Sequence, residues 1–336
     1  MNTTQAASGS LFGLALGDAL AAPTEFIRDV KSIERRFGPG GPREPTGDPA
    51  RVTDDTQMAL AVGEALAQVA PPYTAANTEG PLRQAFIAWM VSPENTRAPG
   101  MTCMNACRNL MDGKIWQKAT VLSSKGCGAN MRVAPVGLLP GIDAATRAAL
   151  AQFQAALTHG HPTGLAASDL TAFAVADLAA GNSSLATLPA RLVDYAEAQR
   201  RVYYSEWLGS LWEHYGADTP QNFIEQGWAE CIGVLERLQK ALAIDDRASD
   251  PCLSTGEGWI AEEAFATGLL CFLLFPDEPV AALRRAAVTS GDSDSIACLA
   301  GAFAGAYHGI AAWPADWVRR IEYRDRLAAL GSRWDS

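Results

Sequence analysis

The sequence predicts an all-α fold, and two observations support that prediction. Alanine-rich segments with apolar residues at positions i, i+3, i+4 and i+7 recur along the 336 residues, and this spacing places the apolar side chains on one face of a helix. Runs that alternate in hydrophobicity and carry β-branched residues, which are typical of strands, are nearly absent. No internal repeat of fixed period is visible, which argues against a regular helical solenoid.

The helical pattern defines a series of segments separated by turn-forming residues. The predicted helices lie at about residues 8–20, 54–69, 79–91, 101–112, 145–158, 164–180, 186–214, 221–242, 259–274, 277–289 and 294–310. Breaks such as Pro71-Pro72 and Phe275-Pro276 interrupt the pattern because proline disfavours a continuing helix. In the last segment Gly301, Gly305 and Gly309 form a ridge of small residues, which lets another helix approach closely.

The composition excludes several classes of protein. There are 27 basic and 37 acidic side chains, which give a formal net charge of −10. Binding to a nucleic-acid backbone needs a basic surface, so we do not expect nucleic acid as a partner. The seven cysteines are odd in number and scattered, which is not typical of a disulfide framework and predicts a cytoplasmic protein.

No targeting or membrane segment is predicted. The first basic residue is Arg28 and Asp18 interrupts the apolar start of the chain, so we infer no signal peptide. The apolar stretch 296–313 is largely Ala and Gly, which favours a packed core helix over a membrane span. Residues 1–8 are predicted to be a short N-terminal tail. The irregular stretch 37–52, with four prolines and four glycines, is expected to be a surface loop, with a mobile flap as the alternative.

Two acidic clusters at predicted helix starts are the most informative residues. They are Thr53, Asp54 and Asp55 in RVTDDTQMAL and Asp292, Asp294 and Ser295 in SGDSDSIACL. Helix capping explains one acid at a helix start, but neighbouring acids repel each other unless a cation offsets their charge. Four carboxylates and two hydroxyl oxygens suit hard divalent ions such as Mg²⁺. From the residue types alone, a metal site and two unrelated caps are equally good interpretations.

Three further segments carry residues that could serve a site. Glu25 follows the first predicted helix and is expected on a loop, either exposed to solvent or beside a metal. Gly126 and Gly128 would let backbone N–H groups approach an anion, although a glycine turn that starts a helix fits them equally well. In THGHPTG, His159 and His161 lie at a predicted helix end, where a hydrogen bond or a cap is the expected role of one of them.

Taken in order, these segments resemble the ADP-ribosylglycohydrolase family. The blocks GSLFGLALGDALAAPTEF, VTDDTQMAL, RAPGMTC, GCGANMRVAPVGL, ALTHGHPTG and SGDSDSIACLAGAFAGAYHG look like the family's successive blocks and arrive in its order. The resemblance covers roughly residues 9–66, 97–180 and 258–325, whereas 186–257 carries no family signal. It implies a single compact orthogonal multi-helix domain over 9–330 that binds two Mg²⁺ ions.

The resemblance also implies a role for each motif. The metal ligands would be Thr53, Asp54, Asp55, Asp292, Asp294 and Ser295, with Ser295 standing where the family usually has threonine. The contacts to ADP-ribose would come from Gly126, Cys127, Gly128, Ala129, Asn130 and His159. The acid or base of the reaction would be Asp55 or Glu25, and the sequence does not decide between them. Before its TDDT block the family often has an aromatic residue, whereas this chain has Arg51-Val52 there. The departure concerns the contacts to the acceptor of the ADP-ribose.

The implied function is hydrolysis of the bond between ADP-ribose and a modified acceptor. The expected substrate is ADP-ribosylated arginine on a protein, so that the reaction reverses mono-ADP-ribosylation. The alternative is an immunity or regulatory protein that binds ADP-ribose or an ADP-ribosyltransferase and blocks it stoichiometrically. A third interpretation, a helical scaffold with capped helices, predicts no rise in melting temperature with Mg²⁺. Because residues 53–55 and 292–295 would have to meet in one site, one large domain is favoured over two.

Overall fold

The computed structural model describes residues 5–182 and 184–335 and confirms the all-α prediction. Within those ranges the extended backbone forms isolated bridges, such as Gly126 with Ile260, and no β-sheet. The first helices are α1 (Ala6–Ala21), α2 (Val30–Phe37), α3 (Asp54–Ala67), α4 (Ala75–Val91), α5 (Met101–Met111), α6 (Trp116–Ala119), α7 (Ala134–Gly137), α8 (Ala144–Ala156), α9 (Pro162–Ala179) and α10 (Leu188–Gln199). They are followed by α11 (Ser205–Leu208), α12 (Leu211–Tyr215), α13 (Pro220–Ile244), α14 (Cys252–Thr255), α15 (Ala261–Leu274), α16 (Pro279–Ala286), α17 (Ser293–His308), α18 (Ala315–Arg320) and α19 (Arg324–Trp334).

The predicted single helix over 186–214 is wrong. The structure divides this stretch into α10, α11 and α12, with a break after Gln199 and another at Gly209. Gly209 has φ +52°, a left-handed conformation that glycine adopts easily and that ends a helix. Trp207 packs edge-on against Phe153, with ring centroids 5.7 Å apart. This long-range aromatic contact is invisible to a pattern that reads only local spacing.

The sequence pattern also misses α2, α18 and α19, which are rich in charged residues. In α2 the local signal is a cap rather than a periodic apolar face. Asp29 accepts a hydrogen bond from the Ser32 N–H at 2.8 Å, which satisfies a backbone donor of the first turn. Only Ile33 of this helix is buried, so the apolar pattern is too weak to predict it.

Helices α1 and α17 pack against each other through glycines. A methyl group on Gly13 would lie 2.2 Å from the carbonyl oxygen of Gly301, and one on Gly305 would lie 2.0 Å from that of Gly9. No side chain fits at such distances, so the two backbones approach as the predicted glycine ridge requires. Thr24 and Ser293 share a hydrogen bond of 3.0 Å between their hydroxyls. The contact therefore brings the residues that follow α1 beside the start of α17.

The N-terminal boundary differs from the prediction. Because α1 begins at Ala6, the predicted tail over 1–8 ends inside a helix. The carboxylate of Asp335 accepts hydrogen bonds from the N–H groups of Ala7 and Ser8 at 2.8 and 3.1 Å, which fixes the first turn of α1 against the end of α19. Residues 1–4 of the predicted tail lie outside the described residues. The single-domain assignment over 9–330 stays a prediction, although the buried hydrophobic residues form one core from α1 to α19.

The cysteines and the apolar helices have the following environments. All seven cysteines are free and buried. None of the helices in the described ranges has the length and apolar character needed to cross a membrane. The apolar stretch 296–313 is mostly α17, which is buried along nearly its whole length.

Candidate functional site

Three carboxylates meet where α1 ends and α17 begins. Glu25, Asp292 and Asp294 each offer one oxygen, and these oxygens lie within 4.8 Å of one another. Glu25 is in the turn after α1, Asp292 immediately precedes α17, and Asp294 is in its first turn. The backbone of Asp292 is fixed because its N–H donates to the carbonyl of Glu257 at 2.7 Å. The structure thus brings Asp292 and Asp294, two of the predicted metal ligands, together with the loop residue Glu25.

The other acidic cluster lies at the start of α3 and faces the same place. Thr53 is the N-cap of α3, and its hydroxyl accepts a hydrogen bond from the Asp55 N–H at 3.3 Å. Asp54 accepts a hydrogen bond from the Gly100 N–H at 3.2 Å. Burial is the largest cause that raises the pKa of Asp54 and Asp55, and the negative charge of Asp294 raises both further. Asp294 also shares a side-chain hydrogen bond with Thr53, so the acids of α3 and α17 lie close together rather than on separate faces.

A buried acid that sequence reasoning did not assign to the site holds α3 in place. Asp18, inside α1, accepts hydrogen bonds from the Thr53 N–H at 2.9 and 3.0 Å and from the Thr56 N–H and hydroxyl at 3.1 and 2.5 Å. In the sequence, the position of Asp18 within an apolar stretch argues against a signal peptide. The same feature, an acid in the middle of an apolar helix, is the sequence signal for a buried acid with a partner.

Burial and mutual repulsion shift the pKa values of these acids upward. Burial is the largest cause in each case, followed for Glu25 by the charge of Asp294, and the pKa of Glu25 rises to about 9. The pKa of Asp54 rises to about 7, and those of Asp55 and Asp292 rise well above the ordinary range. The cluster therefore disfavours negative charge unless a cation enters it.

The donor set suits a hard divalent cation. Oδ2 of Asp55 and Oδ1 of Asp294 are buried and have no hydrogen-bond partner, although buried carboxylate oxygens are normally satisfied. In the described chain no lysine or arginine forms an ion pair with these acids. Carboxylate and hydroxyl oxygens are the ligands that Mg²⁺ prefers. Ser295, the sixth predicted ligand, is also buried in the first turn of α17.

A glycine turn forms the neighbouring wall. Gly126 bridges to Ile260, and the Cys127 N–H donates to the carbonyl of Trp259 at 3.1 Å. The Asn130 N–H donates to the Cys127 carbonyl at 2.7 Å, and its side-chain amide donates to the Ala261 carbonyl at 2.9 Å. Of the predicted diphosphate donors, Cys127 and Asn130 therefore already use their N–H groups within the protein. Gly128 and Ala129 are the better candidates for binding an anion.

His159 lies directly against this turn. A methyl group on Gly128 would lie 3.1 Å from Cε1 and 3.3 Å from Nε2 of His159, and one on Gly126 would lie 3.6 Å from Nε2. The ring is buried, and burial together with the charge of Arg132 lowers its pKa to about 3. His159 is therefore neutral at physiological pH. Glycine suits position 128 because a methyl group there would also lie 2.9 Å from Cys103 Sγ, so a side chain would press on both neighbours.

His161 has a structural role, as the sequence allowed. It is the N-cap of α9, and its Nδ1 accepts a hydrogen bond from the Thr163 N–H at 3.2 Å. Its ring also packs edge-on against Tyr215, with centroids 5.6 Å apart. The two histidines of THGHPTG therefore divide between the candidate site and the start of a helix.

An open cavity of about 620 Å³ lies on the outer side of the acids. Its lining includes Glu25, Phe26, Arg51, Thr53 and Arg97. Arg97 is held by Glu322 through a hydrogen bond of 2.8 Å, and it also donates to the Val52 carbonyl. Glu25 stands between this cavity and the buried carboxylates, so it borders both the inner site and the solvent.

Comparison with known proteins explains this arrangement. The family model described as ADP-ribosylglycohydrolase matches residues 1–335. The chain belongs to the ADP-ribosylglycohydrolase family. It is 27% identical to human ADP-ribosylhydrolase ARH3 over 345 residues, which cover 94% of this chain and 88% of the relative. It is 32% identical to the ADP-ribosyl-[dinitrogen reductase] glycohydrolase of Rhodospirillum rubrum over 162 residues, which cover 46% and 52% of the two chains.

Two further relatives agree with this membership. The ADP-ribosylarginine hydrolase Tri1 of Pseudomonas putida is 25% identical over 333 residues, covering 96% of this chain and 76% of the relative. A solved structure titled ADP-ribosylglycohydrolase-related protein complex superposes with a TM-score of 0.65 at 25% identity and covers 99% of this chain and 98% of its own. The predicted family and fold are confirmed, and the chain is an ADP-ribosyl hydrolase by family.

Proposed function

We propose that the protein is a Mg²⁺-dependent hydrolase that removes ADP-ribose from modified arginine side chains on proteins. The observation that carries this proposal is the buried carboxylate cluster, in which Asp55 and Asp294 each leave an oxygen without a partner. Members of the family depend on metal ions and act on ADP-ribosylated proteins. The arginine acceptor is supported by the similarity to the relatives named as ADP-ribosylarginine hydrolases.

The proposed ligands of the two Mg²⁺ ions are the residues of the two helix starts. They are Thr53, Asp54, Asp55, Asp292, Asp294 and Ser295. Two divalent cations would balance the four aspartates, which removes the repulsion that raises their pKa values. When bound, the ions supply the positive charge that polarises the ribose hydroxyls and the attacking water.

Asp55 and Glu25 are proposed to move the protons of the reaction. Hydrolysis breaks the bond between the anomeric carbon and the guanidinium nitrogen, joins the oxygen of water to that carbon and returns a proton to the nitrogen. Asp55 is buried within the cluster and would accept the proton from water. Glu25 borders the open cavity, where an acceptor side chain would lie, so its carboxyl group is placed to return the proton to the leaving nitrogen.

The ADP-ribose itself would lie against the glycine turn. The N–H groups of Gly128 and Ala129 are suited to the diphosphate oxygens, because backbone donors bind anions without a basic side chain. His159 would contact the ADP-ribose from beneath the turn, and Cys127 and Asn130 would contribute through the backbone fold that they stabilise. An acidic protein can bind a diphosphate in this way.

The direct test is release of ADP-ribose from defined substrates. Peptides ADP-ribosylated on arginine or on serine are incubated with the protein, with EDTA or with added Mg²⁺, and free ADP-ribose is measured by chromatography. We expect release from the arginine peptide that stops in EDTA and returns with Mg²⁺. Release from serine alone would overturn the arginine assignment, and no release from either peptide would overturn the proposed activity.

The alternative of stoichiometric blocking predicts a different result with one variant. The double change Asp54→Ala, Asp55→Ala removes two proposed metal ligands. A hydrolase loses turnover with this variant, whereas a protein that only occupies ADP-ribose or an ADP-ribosyltransferase would still protect a target from modification at a one-to-one ratio. The unpartnered carboxylate oxygens favour the hydrolase, because a blocking surface does not need them.

A further inference from the structure

Arg132 is buried completely next to the candidate ADP-ribose site. Its guanidinium donates from Nε to the Gln154 side chain at 2.8 Å, and from Nη2 to the Gln154 carbonyl and the Thr158 hydroxyl, both at 2.8 Å. The ring of Phe86 lies 4.2 Å from its central carbon. In the described ranges Arg132 takes part in no ion pair. A buried cation without a carboxylate is costly, which indicates a role for Arg132 beyond packing.

The hydroxyl of Thr158 connects Arg132 to His159. Thr158 Oγ1 lies 2.8 Å from His159 Nδ1, and it accepts the hydrogen bond from Arg132. Its own proton has two possible acceptors, His159 Nδ1 and the Ala155 carbonyl at 3.5 Å. That carbonyl already accepts from the N–H groups of Thr158 and His159 at 3.0 and 2.8 Å, which fills both of its lone pairs. The hydroxyl proton therefore points at Nδ1.

We propose that Arg132 and Thr158 are positioning residues that hold the His159 imidazole neutral, with its one proton on Nε2. An Nδ1 that accepts the Thr158 hydroxyl cannot carry a hydrogen, so the neutral ring must carry it on the other nitrogen. Nε2 is the atom that lies against Gly126 and Gly128. The chain from Arg132 through Thr158 thus directs an N–H donor at the glycine turn.

This arrangement gives His159 a specific role in binding ADP-ribose. That role rests on the proposed function. An N–H on Nε2 would donate to an oxygen of ADP-ribose, whereas the other tautomer would present a lone pair and repel it. Arg132 also opposes a positive charge on the ring, which agrees with the low pKa of His159. Burial is the main reason that the ring is neutral, and the buried arginine adds to it and sets the order of the hydrogen bonds.

The first test is spectroscopic and needs no substrate. In protein labelled with ¹⁵N-histidine, long-range ¹H–¹⁵N correlation spectra distinguish the two neutral tautomers, and His159→Asn identifies the resonance among the four histidines. We expect a neutral Nε2–H ring that does not titrate between about pH 5 and pH 8. A proton on Nδ1 in the wild-type protein would overturn the proposal, even if no variant folds.

The second test uses matched threonine variants and ADP-ribose alone. Thr158→Val removes the hydroxyl and Thr158→Ser keeps it. The control is Thr171→Val, because Thr171 is buried and its hydroxyl has no partner. We expect Thr158→Val to lose the Nε2–H signature and to weaken ADP-ribose binding about tenfold, with Thr158→Ser and Thr171→Val close to wild type in both.

The outcomes separate this proposal from the proposed function. If wild-type protein fails to bind ADP-ribose, the proposed function fails, while the histidine spectra still decide the tautomer. If the wild type binds ADP-ribose and Thr158→Val keeps both its affinity and its tautomer, the positioning role of Thr158 and Arg132 is wrong. Loss of affinity in Thr158→Val with an unchanged tautomer would equally contradict it, since the effect would then be one of packing.

Discussion

The two walls of the candidate site bury opposite charges. The acidic wall consists of Glu25, Asp54, Asp55, Asp292 and Asp294, and within the described ranges none of these forms an ion pair with a basic residue. The glycine wall consists of residues 126–130 with His159 and Arg132 beneath them, and there the buried charge is a cation without a carboxylate partner.

The difference between the walls shows how one site can accommodate a ligand of mixed character. Uncompensated buried charge destabilises a fold. The acidic wall keeps an excess of negative charge, and the glycine wall keeps a positive charge. Metal cations would satisfy the acidic wall, and the diphosphate of ADP-ribose would benefit from the positive charge and N–H donors of the glycine wall. Changes confined to one wall should therefore affect one class of ligand and spare the other.

The largest effect is expected from removing one charge from the acidic wall. Asp55→Asn takes away a proposed metal ligand and proton acceptor, so kcat/KM for ADP-ribose release should fall about 10³-fold. In EDTA the same variant should melt higher than wild type, because it relieves repulsion with Asp294. Chromatography of released ADP-ribose and thermal melting measure the two quantities.

The control for Asp55→Asn is Asp169→Asn, which changes another buried acid outside the site. Asp169 accepts hydrogen bonds from Tyr195 and Gln152 at 2.6 and 2.9 Å. This control should lower stability in EDTA and retain most of the activity of the folded protein. Equal activity losses in the two variants would show that the acidic wall has no special role.

The next effect concerns the helix contact that assembles the acidic wall. Gly301→Ala would place a methyl group 1.9 Å from the Gly13 carbonyl oxygen, forcing α1 and α17 apart at a cost of about 2 to 3 kcal/mol. The rise in melting temperature with Mg²⁺ should shrink, since Glu25 and Asp294 lie on opposite sides of this contact. Gly233→Ala in α13, with open space around it, should be neutral or slightly stabilising. A Gly301→Ala protein as stable as wild type would contradict the packing described.

A smaller effect is expected from a change in the glycine wall, and it should concern ADP-ribose binding rather than the response to Mg²⁺. Gly128→Ala would place a methyl group 2.9 Å from Cys103 Sγ and 3.1 Å from the His159 ring. Calorimetry should show ADP-ribose binding weakened about tenfold, while Mg²⁺ still raises the melting temperature as in wild type. Gly164→Ala, where a methyl group makes contacts of 3.7 Å or longer, is the nearby control. Loss of the Mg²⁺ response in Gly128→Ala would show that the walls are not independent.

The smallest effect is a pH dependence of metal-free stability. The pKa values of Asp18 and Asp54 rise to about 7 and that of Glu25 to about 9. Acids with a higher pKa in the folded state bind more protons when folded, so stability falls as pH rises from their unfolded pKa values through the folded ones.

In EDTA the melting temperature should therefore fall by a few degrees between about pH 5 and pH 9, and Mg²⁺ should restore more of it at the higher pH. Melting curves across this range check the prediction. A flat profile in EDTA would contradict the raised pKa values, which burial and mutual repulsion cause together.

Many of the helices in the fold can be predicted from local sequence patterns. The spacing of apolar residues predicts most long helices, because amphipathic periodicity is a property of neighbouring residues. It fails at 186–214, where Trp207 and Phe153 make a contact that depends on distant parts of the chain. It also misses α2, whose cap at Asp29 carries more information than its apolar face.

For the site, the residue types identify which acids are chemically suited to a metal but not whether they meet. The role of Asp18 cannot be predicted from local sequence because its partners, Thr53 and Thr56, are distant in the chain. The role of Arg132 cannot be predicted either, because nothing in GCGANMRVAPVGL indicates that its guanidinium is buried beside the neighbouring glycines.

The helical class, the family resemblance and the candidate residues can be predicted from the sequence, because they follow from side-chain types and their spacing. The folded chain is needed to show that Glu25 lies beside Asp292 and Asp294 and that Thr158 links Arg132 to His159. The reason is that charge repulsion, burial and hydrogen-bond direction depend on distances between residues far apart in the chain. The glycines of α1 and α17 set the first of those distances.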